Sequence, residues 1–198
     1  MRVGLYGGSF DPIHRGHVDP VLRAAEVLEL DRVLYLPTAV PPHKDRREAS
    51  ARARYVMVEL ALLEHRALWV SDLEMSPRPT YTVETVERFR RERPDDEPVL
   101  LVGADSFVAL PTWRRWRELL AACSLGVLTR PGDELDSASL DPALRAALAD
   151  GRARRVDNPP VDISSTAVRH QLAAGEEPPP GMVARAVLDY ARKYRLYR

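Results

Sequence analysis

The stretch Gly7-Gly8-Ser9-Phe10-Asp11-Pro12-Ile13-His14-Arg15-Gly16-His17 follows the apolar run of residues 2–6 and precedes apolar residues at Val18, Val21, Leu22, Ala25 and Leu28. The run predicts a strand and the later spacing a helix. A second, partly β-branched run covers residues 32–36. Strand, glycine turn, helix and strand make a βαβ unit, whose crossover pairs parallel strands with a right-handed connection. In open α/β sheets ligands bind beyond the carboxyl ends of the strands, and a helix N-terminus offers free N–H groups and partial positive charge to phosphate. Gly7 and Gly8 let the backbone approach a ligand. His14 and His17, three apart, can turn both rings to one side of the helix start. Either histidine alone reads as capping or packing, but the pair at a strand-to-helix turn points to a phosphate site.

The same alternation continues outward. Residues 51–64 predict a helix with Ala53, Val56, Met57 and Leu60 on one face, and residues 68–71 a strand. A helix over 83–91 leads to residues 98–103, a continuous apolar run that fits a central strand buried on both faces. Helical segments at 106–110 and 114–122 precede a strand at 124–129, then come a helix at 142–149 and a basic strand at 152–156. Two closing helices, from Ser164 or Ser165 to Gly175 and from Met182 to Tyr194, flank Pro178-Pro179-Pro180, which cannot continue a helix. Alternating elements predict an α/β fold, a Rossmann-like doubly wound parallel sheet with C-terminal helices. No low-complexity linker interrupts the chain. The expectation is a single domain over 1–198, with 160–198 a helical portion closing the nucleotide site.

Composition agrees with a globular protein: 198 residues, 45% hydrophobic and 29% charged. Basic and acidic residues, 29 of each, cancel, so the net field predicts neither a nucleic-acid nor a membrane partner. The cations are Arg throughout except for Lys44 and Lys193. A compositional bias accounts for that skew, and it makes a mid-chain Lys noticeable. Cys123 is the only cysteine, so no internal disulfide is available, which suits a reducing cytoplasm. Neither a secretory signal nor an apolar run long enough for a membrane span is visible. The P-loop, GxGxxG and HExxH patterns are also absent.

Gly8-Ser9-Phe10-Asp11-Pro12-Ile13-His14-Arg15-Gly16-His17 resembles the G[ST]FDPxHxGH signature of the HxGH nucleotidyltransferases. Ile163-Ser164-Ser165-Thr166-Ala167-Val168-Arg169 resembles their second element, ISSTxxR. Pro41-Pro42-His43-Lys44, Pro79-Thr80-Tyr81-Thr82, Gly103-Ala104-Asp105, Trp113 and Arg130-Pro131-Gly132 are similar to the bacterial nicotinate-nucleotide adenylyltransferases. The likeness runs over essentially the whole chain. Pantetheine-phosphate adenylyltransferases, the nearest competitor, usually carry Thr where His14 stands and lack PPHK. The nicotinamide-mononucleotide enzymes and a noncatalytic nucleotide-binding module remain as alternatives.

The resemblance implies adenylyl transfer from ATP to nicotinate mononucleotide, with Mg²⁺ carried by the triphosphate and no dedicated protein metal site. It implies that His14, His17 and Arg169 are catalytic, with His17 on the α-phosphate. Gly7, Gly8, Ser9 and Phe10 would form the nucleotide turn, and Ile163, Ser164, Ser165 and Thr166 a second helix start on the phosphates. His43 and Lys44 would meet the mononucleotide phosphate, although Lys44 alone reads as a surface lysine. Trp113 would stack on the pyridine ring, and N–H groups around Thr80, Tyr81 and Thr82 would receive its carboxylate. The resemblance also implies that Gly103 and Arg130 would belong to the nucleotide site. Asp105 is open between a ribose acceptor and a helix N-cap. Pro20 is expected within the tolerant first helical turn. Self-association into a homo-oligomer stays open.

Overall fold

Val99, Leu100, Leu101 and Val102 are each no more than 5% exposed, so the strand they form is covered on both faces. The computed structural model describes residues 1–40, 48–132, 135 and 139–198. Its strands are β1 Arg2–Gly8, β2 Arg32–Pro37, β3 Leu68–Val70, β4 Glu97–Gly103, β5 Ser124–Thr129 and β6 Ala153–Asp157. The helices are α1 Arg15–Val27, α2 Ala51–Leu62, α3 Thr82–Glu92, α4 Ala104–Val108, α5 Trp116–Ala122, α6 Pro142–Ala149, α7 Ser165–Ala173 and α8 Arg185–Lys193, with a 3₁₀ turn at Leu110–Thr112. The six strands form one sheet in the order β3-β2-β1-β4-β5-β6. β1 with β4, β4 with β5 and β5 with β6 are parallel pairs, with Leu5 opposite Leu100 and Leu101 opposite Gly126. This is the doubly wound order, and its switch point lies between β1 and β4, where such sheets bind ligands.

The chain clusters into two interleaved compact units. The first comprises Met1–Tyr6, Pro20–Leu34 and Tyr81–Pro160. Val3, Leu5, Val21, Phe107, Leu119, Val127 and Leu144 are buried in its core. The second comprises Gly7–Asp19, Tyr35–Thr80 and Val161–Arg198. Phe10, Ile13, Tyr35, Met57, Val58, Val168 and Val187 are buried there. Trp116 is buried and Trp69 exposed.

Two local expectations need correction. The first helix begins at Arg15, so Pro20 sits in its second turn, where its missing N–H deprives the Gly16 carbonyl of an ordinary helical partner. In α2 the buried stripe is Ala53, Arg54, Met57, Val58 and Leu62, while Val56 and Leu60 are only half-buried. The helix is rotated because Arg54 points inward to bond main-chain carbonyls.

Burial pushes the Cys123 thiol up to about 12, outweighing a backbone hydrogen bond from Leu100 and the charge of Arg90. The thiolate is the reactive form. Ellman's reagent should therefore leave native protein unlabelled at pH 8 and label one thiol once urea unfolds it; fast labelling of the native state would contradict this burial. Gly126 is packed closely too, since a Cβ there would lie 2.6 Å from both Leu101 Cδ2 and Leu28 Cδ1 and those leucine ends would have to shift. Gly126→Ala should cost about 1–3 kcal/mol in urea unfolding, the usual scale of core overpacking.

Candidate active site

β1 ends at Gly8, whose carbonyl accepts from Thr38 N at 3.0 Å. The chain then turns through Phe10 at φ 50°, a left-handed conformation uncommon outside glycine. A Cβ on Gly8 would meet the Phe10 ring at 2.8 Å, so glycine is what lets that ring fold back. Phe10 packs edge-on to His17, with centroids 5.3 Å apart, and against Tyr35 at 5.5 Å. The His14 and His17 rings lie 3.9 Å apart at 34°. Nδ1 of His17 accepts from the His14 amide at 3.3 Å, so the neutral ring carries its proton on Nε2. Tyr35 Oη donates to the His17 carbonyl at 3.0 Å, fixing the first turn of α1. The paired imidazoles are thus one buried ring, His14, and one half-buried ring, His17.

The second motif meets this turn directly. Ser164 caps α7, accepting from Ala167 N at 3.1 Å. Ser165 Oγ donates to the Pro12 carbonyl at 2.9 Å. Arg169 Nη1 donates to the Asp11 carbonyl at 2.8 Å, and its Nε to Glu48 Oε1 at 2.8 Å. Arg169 also reaches Thr166 Oγ1 at 3.3 Å. Gly16 keeps the approach close: a Cβ there would stand 3.0 Å from the His14 ring and 3.4 Å from Ile163 Cγ2. Arg169 therefore does not extend freely as a phosphate fork; the turn itself and a carboxylate hold it. Gly7 and Ser9 complete the turn, with Gly7 exposed.

Three residues at this site have no counterpart among the sequence-based candidates. Asp11, 4% exposed, accepts from Glu48 N at 3.1 Å, Ala49 N at 3.3 Å and Tyr197 Oη at 2.7 Å. Arg54, fully buried, donates to the carbonyls of Ser9 at 2.6 Å and Thr38 at 2.8 Å. Tyr197 is buried near the other end of the chain. For Arg54 the signal was present, since an arginine on an apolar helix stripe needs an explanation.

Thr80 excepted, which falls in the second unit, the remaining candidates stand in the first unit or outside the described residues. Gly103 ends β4 and occupies the N-cap of α4, with Asp105 in the first turn, so Asp105 is not the cap. The Asp105 carboxylate is exposed and accepts from Ser106 N at 2.8 Å. Arg130, exposed, follows β5. The Tyr6 phenol is raised to about 12, chiefly by burial, with Arg130 opposing and Asp105 adding to the rise. Trp113 is half-buried after the 3₁₀ turn. Tyr81 is the N-cap of α3, and its amide donates to Glu84 Oε2 at 3.3 Å. Thr82 opens the helix, Thr80 precedes the cap and donates its hydroxyl to the Arg78 carbonyl at 3.4 Å. His43 and Lys44 lie outside the described residues.

Residues 5–171 match the cytidylyltransferase-like family model. A protein of Pseudomonas fluorescens named "Probable nicotinate-nucleotide adenylyltransferase" is 41% identical over all of this chain and 97% of its own length. The chain belongs to the nicotinate-nucleotide adenylyltransferase family. A namesake from Shewanella frigidimarina is 35% identical, with both chains fully covered. The Plasmodium falciparum nicotinic acid mononucleotide adenylyltransferase complexed with NaAD shares the fold at TM-score 0.78 and 18% identity, covering 99% of this chain and 97% of that one. As a family member the protein is a nucleotidyltransferase. Among the described residues no helix is long and apolar enough to cross a membrane.

Replacing Arg54 by Met strands the Ser9 and Thr38 carbonyls in the interior, at about 1–3 kcal/mol for each acceptor left unmade. Urea unfolding should show a loss on that scale, with Arg54→Lys recovering part of it; an unaltered midpoint for Arg54→Met would refute the bracing role.

Proposed function

We propose that this protein joins nicotinate mononucleotide to the AMP part of ATP, giving nicotinate adenine dinucleotide and pyrophosphate. Full-length likeness to the named relatives supports the reaction. The observation that carries the site is the meeting of the two motifs: Ser165 and Arg169 both bond the Asp11–Pro12 main chain beside the stacked His14 and His17 rings.

The nucleophile is a phosphate oxygen of the mononucleotide. With a second pKa near about 6, a phosphate monoester is largely dianionic at neutral pH and needs no general base. It attacks the α-phosphorus in line, forming the new P–O bond as the α–β bond breaks and pyrophosphate departs with its electron pair. The protein must align two repelling anions and offset charge on the bridging and leaving oxygens. His17 Nε2–H serves the α-phosphate, His14 braces it, and the α1 and α7 N-termini add free amides. Arg169 gives its fork to the β- and γ-phosphates as they displace the Glu48 carboxylate. Mg²⁺ travelling with the triphosphate would offset part of its charge, with no residue of this chain assigned to hold the ion. We assign Asp105 to a ribose hydroxyl, Trp113 to the pyridine face, the N–H groups around Thr80, Tyr81 and Thr82 to the nicotinate carboxylate, and Lys44 with His43 to the mononucleotide phosphate, all on family resemblance. The setting is a reducing cytoplasm.

ATP offered with nicotinate mononucleotide, nicotinamide mononucleotide and pantetheine phosphate in turn should release pyrophosphate fastest with the first. Silence with nicotinate mononucleotide would defeat the assignment. His17→Ala should lower kcat by about 10²- to 10³-fold, the scale of one lost oxyanion donor; near-normal turnover would remove His17 from the chemistry.

A further inference from the structure

The end of the chain reaches into the first turn. Arg195 and Tyr197 both hold positive φ, 53° and 63°. Two non-glycine residues in the left-handed region so close together are strained, and such strain persists where the surroundings demand it. Here it places Tyr197, only 5% exposed, with Oη donating to Asp11 Oδ1 at 2.7 Å. Burial first, then the Asp11 carboxylate, push this phenol far above its ordinary value, against the opposing charges of Arg169 and Arg54. The hydroxyl thus stays a donor throughout the working pH range.

Packing alone does not call for that hydroxyl, since Phe would fill the same space without a polar atom to satisfy. Its partner is placed between the two motifs. The Asp11 carboxylate takes the Glu48 and Ala49 amides at the entry to α2, while the Asp11 carbonyl takes Arg169 Nη1. One residue therefore sets both the His14–His17 turn and the guanidinium, and its side chain is oriented by Tyr197.

We propose that Tyr197 is a positioning residue for ATP, acting through Asp11 on the seat of Arg169. The proposal rests on the reading of Arg169 as a triphosphate ligand. Tyr197 touches no substrate in this scheme, and the first effect of losing its hydroxyl is a looser Asp11, felt at the nucleotide and not at the acceptor.

The test varies ATP and nicotinate mononucleotide separately for the full-length wild type, Tyr197→Phe, Asp11→Asn and Arg169→Met, with thermal unfolding alongside. Tyr197→Phe should raise KM for ATP about three- to ten-fold, on the scale of one ordinary net hydrogen bond, while KM for the mononucleotide holds. Asp11→Asn, which keeps the shape but weakens the acceptor, should give the same split and covers the case of a poorly folding Tyr197 variant. A lower Tm with both KM values unchanged, or equal rises in both, marks a structural hydroxyl and overturns the proposal. If Arg169→Met weakens ATP and neither of the other variants does, Tyr197 fails alone. If Arg169→Met itself leaves KM for ATP untouched, the reading beneath the proposal fails with it.

Discussion

The carbonyls of Ser9, Asp11 and Pro12 belong to a turn between β1 and α1, outside both the sheet ladder and the helix, and each must find a donor elsewhere. Arg54 serves Ser9, Arg169 serves Asp11 and Ser165 serves Pro12. All three donors are side chains, brought by α2 and α7 from sequence positions far from the turn. The second unit is organised around this requirement: α2 must turn a cation inward, and the start of α7 must lie against residues 11–12. The same contacts put a serine-capped helix start and a guanidinium beside two imidazoles.

Charge follows the same logic. The whole chain is neutral, so attraction for a triphosphate has to be made locally, by oriented donors and helix ends. The cation concerned, Arg169, is already held by the Asp11 carbonyl and Glu48. A cation fixed before the anion arrives loses less conformational freedom on binding. Glu48 is more than half exposed, so its pairing with Arg169 is weak and easily exchanged for phosphate.

The fold was legible because hydrophobic periodicity and turn residues are local properties, and the strand at 124–129 and the helix at 142–149 fall where those patterns put them. The misreadings share a cause. Apolar spacing predicts one face for α2, yet a polar side chain, Arg54, points inward because carbonyls from two other segments await it. Local spacing puts Pro20 in a first turn, but where that turn starts depends on how His14 and Arg15 are held, and the Arg15 amide bonds the Met182 carbonyl.

By itself, the sequence determined the alternation of strands and helices, the family and the residue types around the first turn, since all of these are written in short spans of neighbouring residues. Only the tertiary structure decided which side chains hold that turn in place. Asp11 and Tyr197 are 186 positions apart, and no local pattern links residues at such separation. Their pairing exists because a buried carboxylate must find donors wherever folding brings them.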